Sequence, residues 1–114
     1  MLLNIVERKL EPDVTVVEVT GRLALGRESQ RIETLIDDLS KKGVSRVVID
    51  LSGVEYIDSA GIGMLALAAG KMKEAGGKLA LVAPEGRVLQ MLNLTQMNAI
   101  LTVRGSLADA AAAV

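Results

Sequence analysis

Asp58, Ser59, Ala60 and Gly61 stand together where a loop gives way to a helical pattern, and they are the residues whose types and spacing could do chemistry. A serine at a helix start can act as N-cap, its hydroxyl accepting a hydrogen bond from one of the unpaired amides of the first turn. Asp58 would then add negative charge beside the positive end of the helix dipole, while Gly61 and Gly63 would allow close packing on a sheet. That structural role is physically sufficient. The same hydroxyl, if exposed, is also a phosphoacceptor: a phosphate of about −1.5 to −2 charge could be held by the free amides. On this second reading Ser59 is the phosphorylated residue and Asp58, Ala60 and Gly61 are its motif. Added charge beside Asp58 and near Glu55 would repel an acidic partner or block a fitted one. Both readings stand at this point.

Other chemistries lack their parts. The chain has no histidine and no cysteine, so it offers no imidazole base for a Ser-His-Asp arrangement, no His or Cys ligand for zinc and no disulfide. A Gly-x-Ser-x-Gly nucleophile turn needs glycine at position 57, where this chain has Ile57. Gly61-Ile62-Gly63-Met64-Leu65-Ala66 fits the dinucleotide pattern letter for letter, but that fingerprint belongs in a tight strand-to-helix turn, and residues 52–58 read as a loop. A binding module is expected, with no catalytic residue, metal or cofactor. Lys and Arg total 13 against 14 Asp and Glu, a net charge of −1 scattered along the chain, so nucleic acid is not an expected partner. No window reaches the ~20 apolar residues of a membrane span, and the first residues lack a secretory pattern, so a cytoplasmic protein without membrane insertion is expected.

The helix after the motif has two faces. Placed at 100° intervals, Ile62, Leu65, Ala66, Ala69 and Met72 fall on a core face, with Lys73 near its middle obliged to snorkel outward. Ala60, Met64, Leu67 and Lys71 point the other way, which sets two apolar side chains on a face expected to meet solvent or a partner. The alternative is that a short helix carrying Val88, Met91 and Leu92 covers Met64 and Leu67.

The elements that must position these residues follow from hydrophobic period. Half of the 114 residues are hydrophobic and only Tyr56 is aromatic, so Leu, Ile, Val, Ala and Met must build the core of what reads as one domain spanning 1–114. Residues 3–9 and 14–20, rich in β-branched types and separated by Leu10-Glu11-Pro12-Asp13, read as a hairpin. Ile32, Leu35, Ile36 and Leu39 predict a helix over 27–42 that stops at Gly43. Residues 46–51 form a short, nearly continuous apolar run typical of a central strand. After the loop come a helix over 59–75, a strand over 78–83, a short helix over 85–93, a strand over 99–103, and a last helix whose Ser106-Leu107-Ala108-Asp109 looks like a capping box. The expected fold is α/β: a mixed five-stranded sheet, with an N-terminal hairpin and parallel later strands, and about four helices. Functional loops of such sheets cluster beyond the carboxyl ends of the parallel strands, where Ser59 lies.

A strand Val47-Val48-Ile49-Asp50-Leu51, then Tyr56-Ile57-Asp58-Ser59-Ala60-Gly61-Ile62-Gly63-Met64-Leu65, strongly resembles the signature of the STAS domain of anti-sigma factor antagonists. Gly21, the helix of 27–42, Gly76-Gly77 and the helix of 88–94 fall in family order, so the resemblance covers nearly the whole chain. It implies a cytosolic bacterial regulator that binds an anti-sigma factor, often a serine kinase, and so frees the sigma factor. It also implies that the kinase phosphorylates the motif serine, here Ser59, to turn the protein off, and that a serine phosphatase restores binding. ATP and metal belong to those partners. One departure matters: where many antagonists have acidic residues after the second strand, this chain reads Gly21-Arg22-Leu23-Ala24. The same domain also serves in stressosome-like and lipid-transport complexes, so a scaffold that ignores Ser59 is the alternative.

Overall fold

The computed structural model describes residues 3–10, 12–24, 26 and 30–114. The elements run β1 (Asn4–Leu10), β2 (Val14–Leu23), α1 (Gln30–Lys41), β3 (Arg46–Ile57), α2 (Ser59–Glu74), β4 (Lys78–Val82), α3 (Arg87–Leu94), a 3-10 turn (Met97–Ala99), β5 (Thr102–Arg104) and α4 (Leu107–Ala112). The strands lie in the order β1-β2-β3-β4-β5. β1 and β2 are antiparallel, and every later neighbour pair is parallel. The mixed sheet with its N-terminal hairpin is thus as the sequence predicts. Of the helix expected over 27–42, residues 27–29 lie outside the described residues.

Side-chain alternation explains the layers. In β2, Val17 and Val19 point into the larger core cluster with Ile32, Ile36 and Leu39 of α1, Ile62, Leu65 and Met72 of α2, and Val88 and Leu92 of α3. Val14 and Val16 point to the other face and pack with Val48, Ala80, Val82 and Ala110 of α4. The apolar run of β3 divides in the same way, Val47, Ile49 and Leu51 to one face and Val48 to the other, as a strand covered on both sides requires. α4 is capped as its sequence suggests, the Ser106 hydroxyl accepting from the Asp109 amide at 3.2 Å. Arg46 fastens that helix to the sheet: its guanidinium donates to the Val114 carbonyl at 3.1 Å and the Ala111 carbonyl at 3.4 Å, and pairs with Asp13 of the hairpin turn.

One expectation fails in a way that affects the site. Residues 52–57 are not a loop but the second half of β3. They pair with the end of β2 across two one-residue register shifts: the first, between Glu18 and Thr20, precedes the pairs of Gly53 and Val54, and the second, between Gly21 and Arg22, precedes those of Tyr56 and Ile57. Each shift is a bulge that interrupts strict alternation, and the polar and glycine residues of Ser52-Gly53 hide the strand further. The Asp50 carboxylate braces the first bulge, accepting from the Ser52 amide at 2.9 Å and the Ser52 hydroxyl at 2.6 Å. Val54 and Ile57 then resume the buried pattern.

Candidate functional site

The lengthened β3 delivers its chain directly into α2. Leu23 at the end of β2 lies opposite Ile57, and the Asp58 amide donates to the Leu23 carbonyl at 3.4 Å, so the strand ends beneath the first turn of the helix. Asp58 is in extended conformation, with φ −118° and ψ −177°, and its carboxylate accepts from the Gly61 amide at 2.9 Å. Asp58, not Ser59, is therefore the N-cap. An extended residue just before the helix reaches the amide three positions on, whereas Ser59 already has helical geometry as the first residue of α2. The Ser59 side chain is exposed and its hydroxyl makes no hydrogen bond to another described residue.

Gly61 is buried against the sheet. A Cβ there would sit 2.9 Å from the Leu23 carbonyl carbon and 3.1 Å from Cγ1 of Ile57, and closer still to the Leu23 carbonyl oxygen. This contact, together with the Asp58 carboxylate on the Gly61 amide, also disposes of the dinucleotide reading. The reason first given against it, a long loop before the helix, is wrong, because a single residue, Asp58, separates β3 from α2. The first glycine of the pattern instead lies within the helix, closed against β2, with its amide already bonded.

The two faces of α2 come out rotated from the helical wheel. Gly61, Ile62, Leu65, Ala68 and Met72 are buried; Ala66 and Ala69 are only half-buried, and Lys73 is exposed with no need to snorkel. Ala60 is half-buried. Met64 is half-buried and packs on the main core, so only Leu67 of the two expected apolar side chains remains well exposed, at 54%. The Lys71 ammonium lies 3.6 Å from the Glu33 carboxylate of α1, across the seam between the two helices. Leu67, Lys71, Glu33 and the open glycines Gly63 and Gly70 border a shallow groove there. Ser59, Ala60 and Leu67 are thus presented by one helix, while Asp58 and Gly61 hold its start in place.

Sequence reasoning missed one neighbour of the motif. Arg22, opposite Tyr56 in the β2–β3 register, lays its guanidinium over the Tyr56 ring at 4.1 Å from the centroid. Reading residues 52–58 as a loop concealed the pairing; extending β3 to Ile57 would have set Tyr56 beside Arg22.

Comparison with known proteins agrees with this geometry. The family model described as STAS domain matches residues 6–110. A protein of Bordetella bronchiseptica provisionally named anti-sigma factor antagonist BtrV is 31% identical over 85 residues, 75% of this chain and 73% of that one. The crystal structure of an anti-sigma factor antagonist from Mycobacterium paratuberculosis is 25% identical, covers 99% of this chain and 94% of its own, and superposes with a TM-score of 0.83. At 15% identity the unphosphorylated anti-sigma factor antagonist SpoIIAA shares the fold, with a TM-score of 0.71 over 93% of this chain and 92% of its own. A phosphorylated form of the Bacillus protein shares it too, at 12% identity and a TM-score of 0.67 over 90% and 93%. This chain belongs to the STAS domain family and, within it, to the anti-sigma factor antagonists.

Proposed function

We propose that this protein is a cytoplasmic, non-enzymatic anti-sigma factor antagonist that binds an anti-sigma factor serine kinase through the start and exposed side of α2, freeing the sigma factor, and that phosphorylation of Ser59 turns it off. The observation that supports this best is the state of Ser59: its hydroxyl is exposed and bonded to no other described residue at the first position of α2, where Asp58 has taken over the cap. A kinase can reach such a hydroxyl, and its phosphorylation breaks no hydrogen bond that the helix needs. The phosphate, of about −1.5 to −2 charge, stays at the positive end of the helix dipole, so the fold tolerates it while the docking surface changes in charge and shape. A serine phosphatase then restores binding. Leu67 supplies an apolar contact and Lys71, shared with Glu33, a polar one.

A second reading has one observation in its favour. Arg22, stacked on Tyr56, and Ala24 stand where many antagonists have acidic residues, which suits a scaffold subunit with a different partner and no phosphorylation. Affinity capture from the host lysate with wild-type, Ser59→Ala and Ser59→Asp baits separates the two. The switch predicts a kinase on the first two baits and its loss from the third. The scaffold predicts one non-kinase assembly on all three.

A further inference from the structure

β1 is an edge strand of unusual openness. Asn4 to Leu10 pair with β2 through seven regular pairs without a bulge, and among the described residues no strand lies on the other side. The opposite edge, β5, has only three residues. Long, straight edges are templates for further strands, and proteins usually blunt them with proline, bulges, shortening or charge. β1 has no proline and no bulge, and its charges, Glu7, Arg8 and Lys9, are of mixed sign.

The order of those charges has a consequence. Glu7 and Lys9, two apart, share the face toward α1; both are exposed and neither is in an ion pair with a described residue. Val6, Arg8 and Leu10 share the other face. Val6 is 46% exposed, Leu10 packs at the margin of the α4-side cluster, and Arg8 is held by Glu18 at 3.2 Å.

We propose that β1 pairs antiparallel with β1 of a second copy of this chain about a two-fold axis at Arg8, joining two sheets into one continuous sheet. Such an axis must pass through a residue, because directly opposed residues point to the same face. Centred on Arg8, Glu7 opposes Lys9 of the second copy and Lys9 opposes its Glu7, while Val6 and Leu10 oppose each other in the same reciprocal way. Centred on Glu7, two carboxylates face each other and Ile5 meets Lys9; centred on Val6, Ile5 meets Glu7. The Arg8 register alone gives two opposite-charge pairs and two apolar pairs. Its single like-charged pair, Arg8 with Arg8, is offset because each guanidinium already holds its own Glu18. Beside the strand a groove of about 540 Å³, bordered by Ile5, Glu7, Arg31, Leu35 and Asp38, has room for the incoming Lys9; its two carboxylates outnumber its one guanidinium, which donates to the Leu3 carbonyl at 3.4 Å. Arg8 lies opposite Val16, near the start of β2, whereas Ser59 lies beyond its end, so this interface leaves the proposed switch uncovered.

The test is sedimentation equilibrium of the full chain from micromolar to near-millimolar concentration for wild type, Glu7→Lys, Lys9→Glu and the double exchange. Wild type is expected to pass from monomer to dimer. Each single exchange turns two attractive pairs into repulsive ones and weakens association about tenfold; the double exchange remakes both pairs in reverse and returns it to within about threefold of wild type. Melting curves at the dilute end verify that each variant is folded. A wild type that stays monomeric throughout overturns the proposal. So do single exchanges that associate like wild type, or a double exchange that does not recover.

Discussion

Replacing Gly61 by alanine tests the account of how the helix start is held, because the same substitution elsewhere in α2 should have the opposite sign. At position 61 the new methyl meets the Leu23 carbonyl and Ile57. The obstacle is mainly backbone of a paired strand, which cannot swing aside as a side chain would. Overpacking of this kind costs about 1–3 kcal/mol, and displacing α2 also weakens the hydrogen bond from the Asp58 amide to Leu23, about 1 kcal/mol more. The better helix propensity of alanine returns up to about 1 kcal/mol. The net is a loss of roughly 1–3 kcal/mol, a fall in melting temperature of roughly 4–15 °C for a domain of this size. Gly63 and Gly70 have nothing within 4 Å of an added Cβ, so alanine at either should stabilise the protein by about 0.4–1 kcal/mol. Thermal and urea unfolding of the three single variants measure all of this. If Gly61→Ala unfolds at or above the wild-type temperature, the close approach of α2 to β2 is wrong, and with it the placement of Ser59.

Three further outcomes follow from the same geometry. Asp58→Ala should lower stability by about 1 kcal/mol through loss of the cap while Ser59→Ala stays within about 0.5 kcal/mol of wild type; urea titration showing the reverse order would restore Ser59 as the cap. Arg46→Ala should cost about 1–2 kcal/mol and speed hydrogen exchange in α4 ahead of the rest of the sheet, since its side chain joins that helix to β3 and the hairpin turn. Leu67→Lys should leave the melting temperature almost unchanged, because the side chain is largely exposed, yet lower the yield of captured kinase; equal capture would remove Leu67 from the docking surface.

Much of this fold could be read from hydrophobic period alone. The continuous run Val47-Val48-Ile49 marks a strand buried on both faces, and Ile32, Ile36 and Leu39 mark the inner side of α1. The misreadings around residues 52–58 share one origin, the two bulges in β3. They broke the alternation after Leu51, so Ser52-Gly53 looked like the start of a loop. That hid both the pairing of Tyr56 with Arg22 and the directness of the turn at Asp58. The choice between Asp58 and Ser59 as cap could not be made from composition, since both residue types cap well and only the backbone angle at Asp58 decides. The phase error on α2 arose because alanine gives a weak hydrophobic signal: Ala66, Ala68 and Ala69 are alike in sequence, and tertiary packing selects Ala68 for the interior.

The claim on which the functional account turns is that Ser59 is a phosphorylation switch. The most direct measurement is to incubate the purified protein with its captured kinase and ATP, map any phosphate by mass spectrometry, and compare binding of the phosphorylated and unphosphorylated forms to that kinase by calorimetry. The account predicts one phosphate, on Ser59, with binding lost in the phosphorylated form and retained by Ser59→Ala. An unmodified Ser59, or equal binding of the two forms, would contradict it.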